Sequence, residues 1–145
     1  MPTTKSNEGR RFEFFGDTVT IKTGISDTNG VYSLMHWAVP PGASAVPHAH
    51  ELYEETFYIL SGELEVLLGE STSAVTTGDF ISIPAGTRHG FSNRTSDEVT
   101  MLVGLTPGGM EELFYKFRDD GQHAGTGKYA EEARRFHNTE YEYGS

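Results

Sequence analysis

Cysteine is absent from this chain of 145 residues, which excludes disulfides, thiolate metal sites and thiol nucleophiles. Long apolar runs are missing too. Nothing resembles a membrane span, and the polar start from Met1 to Glu8 lacks the apolar stretch of a secretory signal. Basic residues are few: 11 Lys and Arg stand against 21 Asp and Glu, a net charge of -10. That balance argues against electrostatic capture of nucleic acid or an anionic membrane. Internal repeats are lacking. The expectation is one cytoplasmic domain over residues 1–145, long enough to bury a core, acting on a small molecule.

Short apolar-alternating segments separated by turn residues fill most of the chain. Arg11 to Phe15 and Thr18 to Thr23 read as strands around a Gly16-Asp17 turn, and Asn29-Gly30 is a hairpin signal. Val31 to Val39 is the next strand and carries His36, which is either a sheet-face histidine or a neighbour of the pocket. Glu55 to Leu60 places Glu55, Phe57 and Ile59 on one face and Thr56, Tyr58 and Leu60 on the other. Glu63 to Leu68 alternates likewise, and Glu70 to Thr77 reads as a polar connection. Thr87 to Asn93 and Glu98 to Leu105 complete the strands. The pattern predicts an all-β sandwich or barrel with a core of about 31–105, preceded by N-terminal strands over 10–23.

Beyond Pro107 the period changes. Met110, Leu113, Phe114 and Phe117 recur at helical spacing, and Lys128 to Phe136 is a second helical run. Together they form a C-terminal helical segment of about 108–136. Gly121 to Gly127 is a glycine-rich loop holding His123, and the tail Glu140 to Tyr143 reads as extended. His123 and His137 lie in polar surroundings and read as surface histidines. Glu54 reads as a solvated charge, and Arg88 as pointing away from any site beside His89.

One stretch concentrates the chemistry. His48 and His50 have the spacing that puts two imidazoles on one face of a strand, Glu55 follows five positions later, and His89 lies downstream. Imidazole and carboxylate suit a divalent first-row metal rather than calcium, which prefers oxygen ligands. Glycine and proline punctuate the stretch in two blocks. The first block is Gly42, His48, His50, Glu55 and Gly62; the second is Gly78, Pro84, Gly86, His89 and Asn93.

These two blocks resemble, position for position, the two conserved motifs of the cupin superfamily. The resemblance implies a jelly-roll β-barrel with His48, His50, Glu55 and His89 as ligands of one divalent transition metal: manganese, iron, nickel, cobalt or zinc. Asn93 completes the second motif and reads as structural. The runs Val39-Pro40-Pro41-Gly42, Phe57 to Gly62 and Thr106 to Phe114 resemble single-domain quercetin 2,3-dioxygenase-like cupins of bacteria. By that resemblance the expected function is a metal-dependent dioxygenase acting on an enol, a flavonol or a phenolic compound. Glu55 is then its catalytic base, and Phe57, Ile59, Phe91 and Met101 line its substrate pocket. The alternatives are an oxygen-independent metal cupin (isomerase, lyase or polyketide cyclase) and a non-catalytic small-molecule-binding cupin. The apolar outer pair Tyr58/Leu60 and the aromatic N-terminal strand with Phe12, Phe14 and Phe15 suggest a homodimer.

Overall fold

The computed structural model describes residues 3–118 and 127–142. The glycine-rich loop around His123 and the tail from Tyr143 therefore lie outside the described residues. In chain order the elements are β1 (Arg10–Phe14), β2 (Asp17–Thr23), β3 (Ser33–Val39), β4 (Ser44–His50), β5 (Glu54–Ser61) and β6 (Glu63–Leu68). Then follow β7 (Ser71–Thr76), β8 (Phe80–Ile83), β9 (His89–Ser92), β10 (Val99–Thr106), α1 (Met110–Lys116), α2 (Gly127–His137) and β11 (Thr139–Tyr141).

The strands form two antiparallel sheets, ordered β1-β2-β3-β10-β5-β8 and β11-β4-β9-β6-β7. This is a jelly-roll sandwich. Alternation decides which side chains meet between the sheets. On β10, Val99, Met101, Val103 and Leu105 are buried while the residues between them are not. Each such burial contributes about 1.5–3 kcal/mol relative to exposure. Across the register Phe57 faces Val103 and Ile59 faces Met101, so the core rows of β5 and β10 coincide.

Residues 71–76, read from sequence as a polar connection, instead form β7, which pairs along the whole of β6. This edge strand buries almost nothing, so its side chains carry no apolar period to announce it. The aromatic N-terminal strand also differs from its expectation. Phe12 and Phe14 are buried in the core, where Phe14 meets Phe114 of α1 at 4.9 Å and Tyr129 of α2 at 5.3 Å between ring centroids. The helices of the chain itself cover this strand, so its apolar face is not available to a second copy. Tyr58 and Leu60 do lie on the exposed face of β5, beside Phe80 of β8.

Asn93 has the structural role read from the motif. Its amide donates to the carbonyls of Val39 and Asp97, and its carbonyl accepts from the Thr95 backbone N–H. Helix α1 is fastened by Glu111, which is fully buried. One carboxylate oxygen accepts from the Gly109 N–H at 2.7 Å, and the other accepts from the Ile25 N–H at 2.6 Å in the β2–β3 loop.

Candidate metal centre

Two strands of one sheet and one strand of the other bring the motif residues together. β4 carries His48 and His50 two residues apart on its inner face, and the register sets His48 directly opposite His89 of β9. Glu55, the first inward residue of β5, reaches them from the facing sheet. One ligand atom from each of His48, His50, Glu55 and His89 lies within 4.8 Å of all the others. None of the four residues is more than 7% exposed.

The outward ring nitrogens are all engaged. His48 Nδ1 donates to the Val46 carbonyl at 2.7 Å, and His89 Nδ1 to the Thr87 carbonyl at 2.8 Å. His50 Nδ1 lies 2.9 Å from the Thr139 hydroxyl of β11. A carbonyl only accepts, so the Nδ1 atoms of His48 and His89 carry the hydrogens, and a neutral imidazole there turns a lone pair inward from Nε2. Such outer bonds set the tautomer and orientation that imidazole needs to ligate a metal.

Inward, Glu55 Oε1 sits 2.8 Å from His89 Nε2 and 3.5 Å from His50 Nε2. The His50 atom has no hydrogen-bond partner. Burial pushes the Glu55 carboxyl up, but the imidazoles of His50 and His89 outweigh it and hold the group below the usual carboxylate range. Burial pulls His89 down, yet the Glu55 bond more than compensates and raises it. His48 has no such bond to the carboxylate; burial and the neighbouring imidazoles hold it well below its ordinary value. Inward lone pairs beside a buried carboxylate repel unless a positive charge lies between them. A divalent cation fits this donor set, because it draws on all four groups in their deprotonated forms.

The cluster opens on a cavity of about 450 Å³. Its walls are mainly aromatic: Phe14, Phe15, Trp37, Phe57, Phe91 and Phe114 line it. Of the four residues read from sequence as pocket lining, Phe57 and Phe91 are there. Ile59 and Met101 are fully buried in the core and do not line the cavity. His36 lies on the outward-facing row of β3, paired with Leu102, and is not in the cavity wall either.

Three residues of the site, two of them in the cavity wall, escaped the sequence reading. Tyr141 of β11 stacks on His48 at 4.4 Å with an interplanar angle of 18°, and its hydroxyl meets that of Tyr129 at 2.6 Å. Thr139, two residues earlier on the same strand face, holds His50. The extended tail was foreseen; its pairing with β4 had no sequence signal. Asp17 is the third, 5% exposed, with Oδ2 accepting from Trp37 Nε1 at 2.7 Å. Two further expectations can be placed. Arg88 turns outward to Glu142 and the Gly69 carbonyl. His137 is not a free surface histidine: its Nδ1 lies 2.7 Å from the Tyr53 hydroxyl.

Burial raises the Asp17 carboxyl to about 7, against the opposing bond from Trp37. A folded pKa above the unfolded one means stability present below pH ~4 and lost as pH rises through ~7. Relative to Asp17→Asn, the wild-type chain should lose roughly 2–4 kcal/mol of stability between pH 4 and pH 8. Urea unfolding of both proteins across that range measures it. Parallel curves would mean that Asp17 titrates normally.

Comparison with known proteins agrees with this geometry. Residues 35–104 match the family described as cupin domain. Quercetin 2,3-dioxygenase of Bacillus subtilis is 29% identical over 116 residues, which is 80% of this chain and 34% of that protein. Polyketide synthase CurC of Streptomyces cyaneus is 32% identical over 94 residues, 63% of this chain and 60% of that protein. The chain thus spans about a third and three-fifths of these two relatives. Among solved structures, KdgF from Halomonas sp. superposes with a TM-score of 0.69 at 18% identity, covering 77% of this chain and 98% of that one. The motif spacing, the jelly roll and the buried His/Glu cluster agree with the family match: residues 35–104 carry a cupin domain, and the chain has the cupin jelly-roll fold.

Proposed function

We propose that this chain is a metal-dependent cupin enzyme, a quercetinase-like dioxygenase acting on an enol, a flavonol or a phenolic small molecule. The observation that carries the reading is the joining of a buried His48/His50/Glu55/His89 cluster to an aromatic-walled cavity of about 450 Å³. In this reading those four residues hold one divalent transition metal. When bound, the metal supplies Lewis acidity and open coordination positions for substrate oxygens. The chain supplies the rest. Phe57 and Phe91, edge to face at 5.9 Å, form the apolar wall beside Glu55 and exclude water. Glu55 takes the proton of the substrate hydroxyl at a carboxylate oxygen, turning the enol into its electron-rich anion. Thr139, Val46 and Thr87 keep the three imidazoles from rotating during that transfer.

The likeness to Polyketide synthase CurC favours a second reading, an oxygen-independent cyclase, isomerase or lyase on the same site. Oxygen uptake separates the two. Protein loaded in turn with manganese, iron, nickel or cobalt is given quercetin in air-saturated buffer, with electrode and product analysis. Stoichiometric oxygen consumption supports the dioxygenase. Product formation at an unchanged rate under argon transfers the assignment to the oxygen-independent class, and binding without turnover for every metal rejects this substrate class.

A further inference from the structure

Among the described residues, three buried side-chain atoms have no hydrogen-bond partner: His50 Nε2, Ser33 Oγ and Asp17 Oδ1. Ser33 does not line the cavity; His50 and Asp17 do. The two wall residues with an unpaired atom come from opposite sheets, His50 on β4 and Asp17 at the start of β2. Within its own sheet Asp17 lies three strands from Glu55, about 14 Å along the sheet at ~4.8 Å per strand. Trp37 Nε1 fixes the carboxyl by its other oxygen, so the free oxygen is held in place rather than swinging to water. Natural interiors pair their buried polar groups, and an unpaired one in a cavity wall calls for a ligand atom.

We propose that Asp17 is the specificity-determining residue at the remote end of this cavity, its Oδ1 accepting a hydrogen bond from an O–H or N–H group on an aromatic ligand. The ligand class is therefore a flat aromatic molecule with two polar ends. One end meets the His/Glu cluster, and the other carries a hydrogen-bond donor. A cavity of this size, walled by Trp37, Phe14 and Phe114 around the carboxyl, admits rings and stacks them. A purely apolar ring would leave Asp17 buried and unpaired, which is how such a site rejects analogues lacking the donor. The proposal rests on the reading of this cavity as the ligand site, not on dioxygen chemistry.

The test uses indole, which offers one N–H and no strong metal ligand, and 1-methylindole, which lacks that donor. Binding of each to the metal-loaded protein is measured by calorimetry at pH 8.5, above the raised Asp17 pKa, where the carboxylate is ionised. The reading is the affinity ratio of indole to 1-methylindole, compared among wild type, Asp17→Asn and Asp17→Leu. The wild-type ratio should exceed that of Asp17→Leu by about tenfold or more, the scale of one hydrogen bond to a charged acceptor. Asp17→Asn tests it again at nearly constant volume: its oxygen can take the Trp37 N–H, leaving an NH₂ group where the acceptor was, so its ratio should fall as well. A change in packing alone moves both affinities together and leaves the ratio fixed. Equal ratios in all three proteins, or no binding of indole to the wild type, overturn the proposal. An Asp17-dependent ratio in a protein that binds quercetin without turnover for every metal rejects that substrate class for the dioxygenase reading and leaves this proposal standing.

Discussion

If Glu55 is the general base of the proposed reaction, replacing it by Gln is expected to lower turnover by about 10²–10⁴-fold, the usual loss on removing such a base. The folded state should survive, because Gln has the same length and fits the same buried position. The amide can still offer its oxygen to a cation, so elemental analysis should find most of the metal in place. It cannot accept the hydroxyl proton, and there its chemistry ends. Two controls give the result its meaning. Thermal unfolding of the variant must stay cooperative, and substitution of His48 by Ala should remove metal and activity together. Full activity in Glu55→Gln would show that the proton goes elsewhere, and would leave Glu55 as a ligand alone.

Truncating Glu111 to Ala is expected to cost about 2–5 kcal/mol of folding stability, the scale of stranding two buried backbone donors and opening a cavity. Its carboxylate receives two backbone N–H groups, Gly109 at the start of α1 and Ile25 in the β2–β3 loop. Both donors lose their acceptor, and a cavity replaces the side chain. Gln cannot rescue it fully, since an amide has one accepting oxygen for two donors. The neighbouring Glu112 provides the contrast. It is half-exposed and paired with Arg10, and exposed pairs contribute ~1 kcal/mol or less. Chemical denaturation of Glu111→Ala, Glu111→Gln and Glu112→Ala should therefore give two large losses and one small one. Comparable losses at 111 and 112 would mean that surface charge, not buried pairing, sets the effect. Since α1 also delivers Phe114 to the cavity wall, the Glu111 variants should bind aromatic ligands more weakly as well.

The sequence was most informative where spacing and chemistry coincide. His48, His50, Glu55 and His89 fall at fixed intervals among glycines and a proline, and those intervals encode the strand faces and turns that bring the four together. Alternation along β5 and β6 likewise announced their inward rows. What stayed hidden depends on which element covers which. Phe12 and Phe14 are as apolar as any interface strand, and only the return of α1 and α2 over them makes them core. Ile59 and Met101 share a face with the cavity residues but lie deeper along it, a distinction that period-two reasoning lacks. Asp17 follows a glycine and so reads as a turn residue, although it opens β2 with its carboxyl against Trp37. Strands β7 and β11 carry too few apolar residues to signal themselves; neighbours that need pairing recruit them.

The bond between His50 and Thr139 spans 89 positions of the chain, and that separation orders events during synthesis. By the time His89 has emerged, all four residues of the cluster exist, but one imidazole still lacks the hydroxyl that orients it. Tyr141, the ring that stacks on His48, also arrives late. A chain short of residues 139–141 therefore keeps His48 on the Val46 carbonyl but lacks the partner of His50, the ring stacked on His48 and the cover along the edge of β4. The last bond that orients His50 forms only when β11 docks against β4.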